Sequence, residues 1–161
     1  MNGFDAAVIG VGNEFRRDDG VGPAVVALLD SYELPGVRVV ITDGEPTALL
    51  EAWSGVDLAV VVDAVRCSPS VPGRFHRADL RSAPAAAAGR ASSHGLGLHE
   101  ALRLALALGR TPSRLVAYLV EVDDVGYGTH LSPAVSAALP RVADAVRAEL
   151  SQVPGGRAHR Q

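Results

Sequence analysis

Two hydrophobic periods take turns along this chain. DAAVIGVG (5–12) is a short apolar run closed by glycines, the pattern of a buried strand. Val21, Val25, Leu28 and Leu29 then fall at i, i+4, i+7 and i+8, one face of a helix. VRVVITDG (37–44) reads as a second strand and PTALLEAW (46–53) as a short helix with Pro46 in its first turn. VDLAVVVDAV (56–65) is the most apolar strand. Continuous apolar runs mark strands covered on both faces, so it belongs at the centre of a sheet. GRFHRADL (73–80) is polar at alternate positions and belongs at an edge.

LGLHEALRLALALG (96–109) is a helix closed by Gly109, and it is apolar around most of its circumference. It is therefore deeply buried or partly an interface, which leaves monomer and homodimer both open. SRLVAYLVEV (113–122) is another core strand. In the last helix, 132–150, Ser132 suits the N-cap and Pro133 the first turn. Val135, Leu139, Val142, Val146 and Leu150 mark its buried face, and Pro140 is expected to kink it. Strands alternating with helices predict an α/β fold: a three-layer α/β/α sandwich around a mostly parallel, mixed, five-stranded sheet. One domain is expected over residues 1–152. RSAPAAAAGRASS (81–93) reads as a flexible loop and 153–161 as a disordered tail.

Composition narrows the functional classes. The chain has 161 residues, 48% hydrophobic and 20% charged, as in ordinary globular domains. No apolar run reaches the roughly 18 residues of a membrane span. The N-terminus lacks the basic segment of a signal peptide, and the single cysteine, Cys67, excludes an internal disulfide. These features point to the cytoplasm and away from membranes. All fifteen basic residues are arginines spread along the chain, with no stripe for nucleic acid.

In parallel α/β sheets ligands bind beyond the carboxyl ends of the strands, which singles out four loops. The first carries GVGN and then DDGVG, with Asp18 and Asp19 ahead of a helix. The second carries Asp43 in TDGEP. The third strand ends at Asp63 in VVVDAV, and His94 precedes the later helix. A dinucleotide fingerprint needs Gly-x-Gly-x-x-Gly. Here Gly10 and Gly12 fit, but the third position is Phe15. Asp18 and Asp19 also put negative charge where a pyrophosphate would sit. Two readings of those aspartates stay open: caps of the following helix, or ligands of a cation. One histidine with two carboxylates from separate loops, and no thiolate, suits a divalent Zn, Ni, Mn or Fe site with open positions. His76, His99, His130 and His159 show no acidic partner at comparable spacing, and Cys67 no histidine.

GVGN, DDGVG, the DG after strand two, VVVDAV and HGLGLHEAL, in this order from about Val8 to Leu150, resemble the hydrogenase maturation endopeptidases. The resemblance implies a three-layer α/β/α fold with a mixed sheet. It also implies removal of the C-terminal extension from an immature [NiFe]-hydrogenase large subunit after nickel insertion. It places the metal ligands, which are also the catalytic residues, at Asp19, Asp63 and His94. The first of these is glutamate in some relatives, a longer reach than aspartate. Asp43 corresponds to an acidic residue associated with substrate engagement. Nickel is expected to arrive with the precursor, leaving the free protein without a resident metal. Asp18 is a weaker candidate, for substrate binding or as a general base, because the zincin motif that would supply a base is absent. Two other functions stay open: a nucleotide-binding α/β oxidoreductase, and a non-catalytic assembly module that binds the hydrogenase precursor uncut.

Overall fold

The computed structural model of the chain describes residues 3–82 and 95–152. Strand β1 (Ala6–Val11) leads through a 3₁₀ turn (Arg17–Gly20) into α1 (Val21–Asp30), followed by β2 (Val37–Thr42) and α2 (Pro46–Ala52). Then come β3 (Leu58–Arg66), β4 (Phe75–Asp79), α3 (Gly95–Leu108), β5 (Arg114–Val122) and α4 (Pro133–Leu150). The sheet order is β2-β1-β3-β5-β4. The first four strands are parallel, and β4 runs antiparallel to β5. The apolar run of β3 lies at the centre, and the alternating GRFHRADL segment forms an edge, each as its pattern requires.

Strand periodicity divides the core into two layers. Val8, Leu58, Val60, Val62, Val116 and Val120 face α1 and α4. Ile9, Ala59, Val61, Val65, Leu115 and Leu119 face α2 and α3. Helix α1 buries Val21, Val25 and Leu29, with Leu28 at the margin. Helix α3 buries Leu98, Ala101, Leu102 and Ala105 and leaves Leu106 and Leu108 exposed on its outer side. It ends as expected at Gly109, whose φ of 65° lets the Arg110 N–H donate back to the Ala105 carbonyl, at 2.8 Å. Helix α4 is continuous through Pro140. The loop read over 81–93 and the tail read over 153–161 fall almost wholly outside the described residues.

One buried carboxylate ties the β3–β4 connection to the sheet. Glu121, near the end of β5, is fully buried and accepts from the Val71 amide, at 3.2 Å, and from the Arg74 guanidinium. His76 Nε2 lies 2.7 Å from the same carboxylate. The sequence reading gave His76 no acidic partner. The antiparallel β4–β5 register supplies one, because it sets residues 45 positions apart side by side. The Arg74 guanidinium, against the opposing effect of burial and with help from His76, pulls the Glu121 carboxyl down to about 2 from an ordinary 4.5. A carboxyl lowered on folding adds stability that is complete above its unfolded pKa and is lost as pH falls toward the folded one. Wild-type protein is therefore expected to lose its stability advantage over Glu121→Gln as pH falls from 4.5 to about 2. Urea unfolding of both proteins across that range checks this; parallel curves would refute it.

Candidate active site

The order β2-β1-β3 makes a topological switch point between β1 and β3, where the chain leaves neighbouring strands toward opposite faces and opens a crevice. The β1–β3 ladder stops at the pair Gly10–Val62, whereas β3 runs on to Arg66 paired with Val122 of β5. Asp63 was expected to end its strand. It lies instead inside β3, level with the point where β1 departs, because β5 supports β3 for three further residues. By strand alternation it shares the α2–α3 face with Val61 and Val65. It is 1% exposed, and its Oδ1 accepts the Ala64 amide at 2.8 Å.

Asp18 and Asp19 come to this crevice from the other layer. The turn that holds them packs against β3. Neither caps α1, whose N-cap is Gly20 without a side-chain bond. Asp19 is 0% exposed and its Oδ2 accepts the Asn13 amide at 3.0 Å. Asp18 is also buried, with Ser132 donating its amide to Oδ1 at 2.6 Å and its hydroxyl to Oδ2 at 2.8 Å. Ser132 does hold the N-cap position of α4, but its side chain makes no bond to its own helix. Residues 12–20 separate β1 from α1. The immediate strand-to-helix turn of a dinucleotide loop is thus absent, and buried anions stand in its place.

Glycines set how closely these elements meet. A Cβ on Gly22 would lie 2.5 Å from the Val62 carbonyl oxygen and closer still to that of Val11. Helix α1 therefore starts directly on the end of β1 and on the middle of β3, at the residue before Asp63. A Cβ on Gly12, at φ 147°, would overlap the Asp19 carbonyl. A Cβ on Gly97 would overlap that of Gly44, so the start of α3 rests on the β2–α2 turn. In that turn Asp43 is exposed, and its Oδ1 accepts the Glu45 amide at 3.1 Å. His94 lies outside the described residues; Gly95, next in sequence, opens α3. Cys67 is half-buried against the α2–α3 layer.

The described part of the site is therefore two buried carboxylates, from β3 and from the turn beyond β1, at one switch point, with Asp43 on the rim of the same strand edge. Buried carboxylates are costly unless a positive group or strong donors meet them. Hard oxygen donors joined by an imidazole would suit a divalent transition metal. Among the described residues no three His, Cys, Asp or Glu side chains form a metal-binding group, and the third ligand implied by the resemblance, His94, lies outside them.

Comparison with known proteins agrees with this fold. A family model described as hydrogenase maturation protease matches residues 23–149. The chain is 28% identical over 148 residues to the hydrogenase 2 maturation protease of Escherichia coli (strain K12), covering 90% of each. It is 30% identical over 148 residues to the hydrogenase expression/formation protein HupD of Thiocapsa roseopersicina, covering 84% of this chain and 66% of HupD. In three dimensions it resembles the hydrogenase maturating endopeptidase HybD from Escherichia coli, with a TM-score of 0.84, 25% identity and 94% of both chains covered.

Proposed function

Because this chain belongs to the hydrogenase maturation protease family, we propose that it is the endopeptidase that removes the C-terminal extension of an immature [NiFe]-hydrogenase large subunit once nickel has been inserted. The observation that carries the reading is the pair of carboxylates, Asp19 and Asp63, buried at the β1–β3 switch point. Carboxylates are suitable ligands for a metal cation, and a precursor that brings its own nickel supplies one.

Asp19 and Asp63, with His94, hold the nickel centre of the precursor against the crevice. Asp63 is fixed by its place inside a strand paired to β5, and Asp19 by the Asn13 amide. Both are thus set before substrate arrives, which lowers the entropy cost of orienting the scissile bond. When bound, the metal supplies Lewis-acid polarisation and an acidified water, so no serine or cysteine nucleophile is required. Asp43, exposed beyond the end of β2, contacts the substrate segment that leads into the site. The protein acts in the cytoplasm, as a monomer or homodimer. Its partner is the folded precursor, and the free enzyme keeps no resident metal.

Mixing purified precursor with the protein tests this. Precursor carrying nickel is expected to shift to the mature length on a denaturing gel, and precursor made without nickel is expected to stay uncut until nickel is added. Equal cleavage of both forms would remove nickel from the reading. Cleavage of neither would remove proteolysis.

A further inference from the structure

We propose that Asp18 is a positioning residue: it clamps the Arg17–Gly20 turn to the start of α4 and so fixes the direction in which Asp19 points. This deepens the proposed processing function and rests on it. A general base needs an oxygen open to substrate water. Asp18 is 1% exposed, and both its oxygens are already bound by Ser132, at 2.6 and 2.8 Å. The partner is 114 positions away, and its hydroxyl is turned from its own helix toward this carboxylate. The positive end of an 18-residue helix adds to the attraction.

Three more ties run from this turn to the loop between β5 and α4. The Arg17 amide donates to the Gly128 carbonyl at 2.9 Å, and the Asp18 amide to that of Asp124 at 3.1 Å. The Arg17 guanidinium meets the Asp124 carboxylate at 2.7 Å. Arg17 itself sits at φ 48°, a left-handed conformation that a residue with a side chain keeps only when its surroundings hold it there. In a 3₁₀ turn successive side chains point about 120° apart. With Asp18 locked toward α4, Asp19 is directed about a third of a turn away from it, where the Asn13 amide meets it at 3.0 Å. The β5–α4 segment is thus a second support for the site, although it lends the site no group of its own.

The test compares two substitutions. Asp18→Asn keeps both contacts, since its oxygen still accepts the Ser132 amide and its NH₂ can donate to the hydroxyl. Asp18→Ala keeps neither. Precursor processing by Asp18→Asn is expected within about threefold of wild type. In Asp18→Ala, kcat is expected to fall about ten- to a hundredfold, with a smaller change in KM, because small displacements of an oriented group carry penalties of that size. Val142→Ala, in the buried face of α4, lowers the melting temperature without touching the clamp and should keep its kcat. The ¹⁵N–¹H resonance of Asn13 reports the Asn13–Asp19 bond without any cleavage; it should stay in place in Asp18→Asn and move in Asp18→Ala. An inactive Asp18→Asn would show that the charge itself is needed and overturn the proposal, as would an Asn13 resonance unmoved in Asp18→Ala. If wild type leaves the precursor uncut, the processing function fails, while the resonance still decides the clamp.

Discussion

Asp63→Asn and Asp19→Asn are each expected to slow precursor processing by at least about a thousandfold while leaving the fold intact. The size follows from the role. Metal-centred charge stabilisation is worth several kcal/mol, and each 1.36 kcal/mol is tenfold in rate. The intact fold follows from the geometry. An asparagine oxygen at position 63 still accepts the Ala64 amide, and one at position 19 still accepts the Asn13 amide. The substitution removes the charge, at places that are 1% and 0% exposed. His94→Ala belongs to the same set and is expected to lose processing to the same degree. Single-turnover cleavage on a gel, beside a circular-dichroism melt, measures both halves. A rate within tenfold of wild type in any of the three would remove that residue from the site. A collapsed melting curve would instead make the carboxylate a structural group.

Gly22→Ala is expected to cost about 3 kcal/mol of stability or to prevent folding, at the upper end of what overpacking does. Position 22 is the second residue of α1, where helix propensity alone would favour alanine over glycine by about 1 kcal/mol. The steric term wins. The added methyl would meet the Val62 carbonyl at 2.5 Å and the Val11 carbonyl closer still, and both are sheet backbone that cannot rotate away. To make room, α1 must lift from the strand ends and carry the Asp19 turn with it, so processing falls along with stability. Gly109→Ala is the control. It also places a methyl where glycine stood, but nothing lies within 4 Å of it. Its cost is only that of a left-handed φ of 65°, about 1–2 kcal/mol. Chemical denaturation of the two variants measures the difference; equal losses would mean that the α1–sheet approach is not tight.

The sequence showed a great deal of this fold because local period reports burial. The unbroken apolar run 58–62 could only be a strand covered on both faces, and β3 is central. The alternating segment 75–79 could cover only one face, and β4 is an edge. Pro46 and Gly109 marked where helices begin and end, because a fixed φ and a left-handed φ are properties of single residues. The carboxyl-edge rule, applied to the sequence, singles out the segments of Asp19, Asp43 and Asp63.

Other features had no local signature. Asp63 read as the last residue of its strand, yet it lies within it, because the length of β3 is set by pairing with β5, fifty-six positions on. Asp18 and Asp19 are adjacent and alike in sequence, but one turns to Ser132 and the other to Asn13. The contact of His76 with Glu121 depends on the antiparallel return of β4, and no spacing rule announces it.

What the sequence determined by itself was the order and type of the elements, which of their faces are buried, and the residue types available at one end of the sheet. Those depend on interactions within a few residues. Tertiary structure alone decided which of two neighbouring carboxylates meets Asn13 and which meets Ser132, and how near a helix can come to the strands beneath it. These are contacts between separate segments, up to 114 positions apart, and their energies depend on distances that no local period encodes.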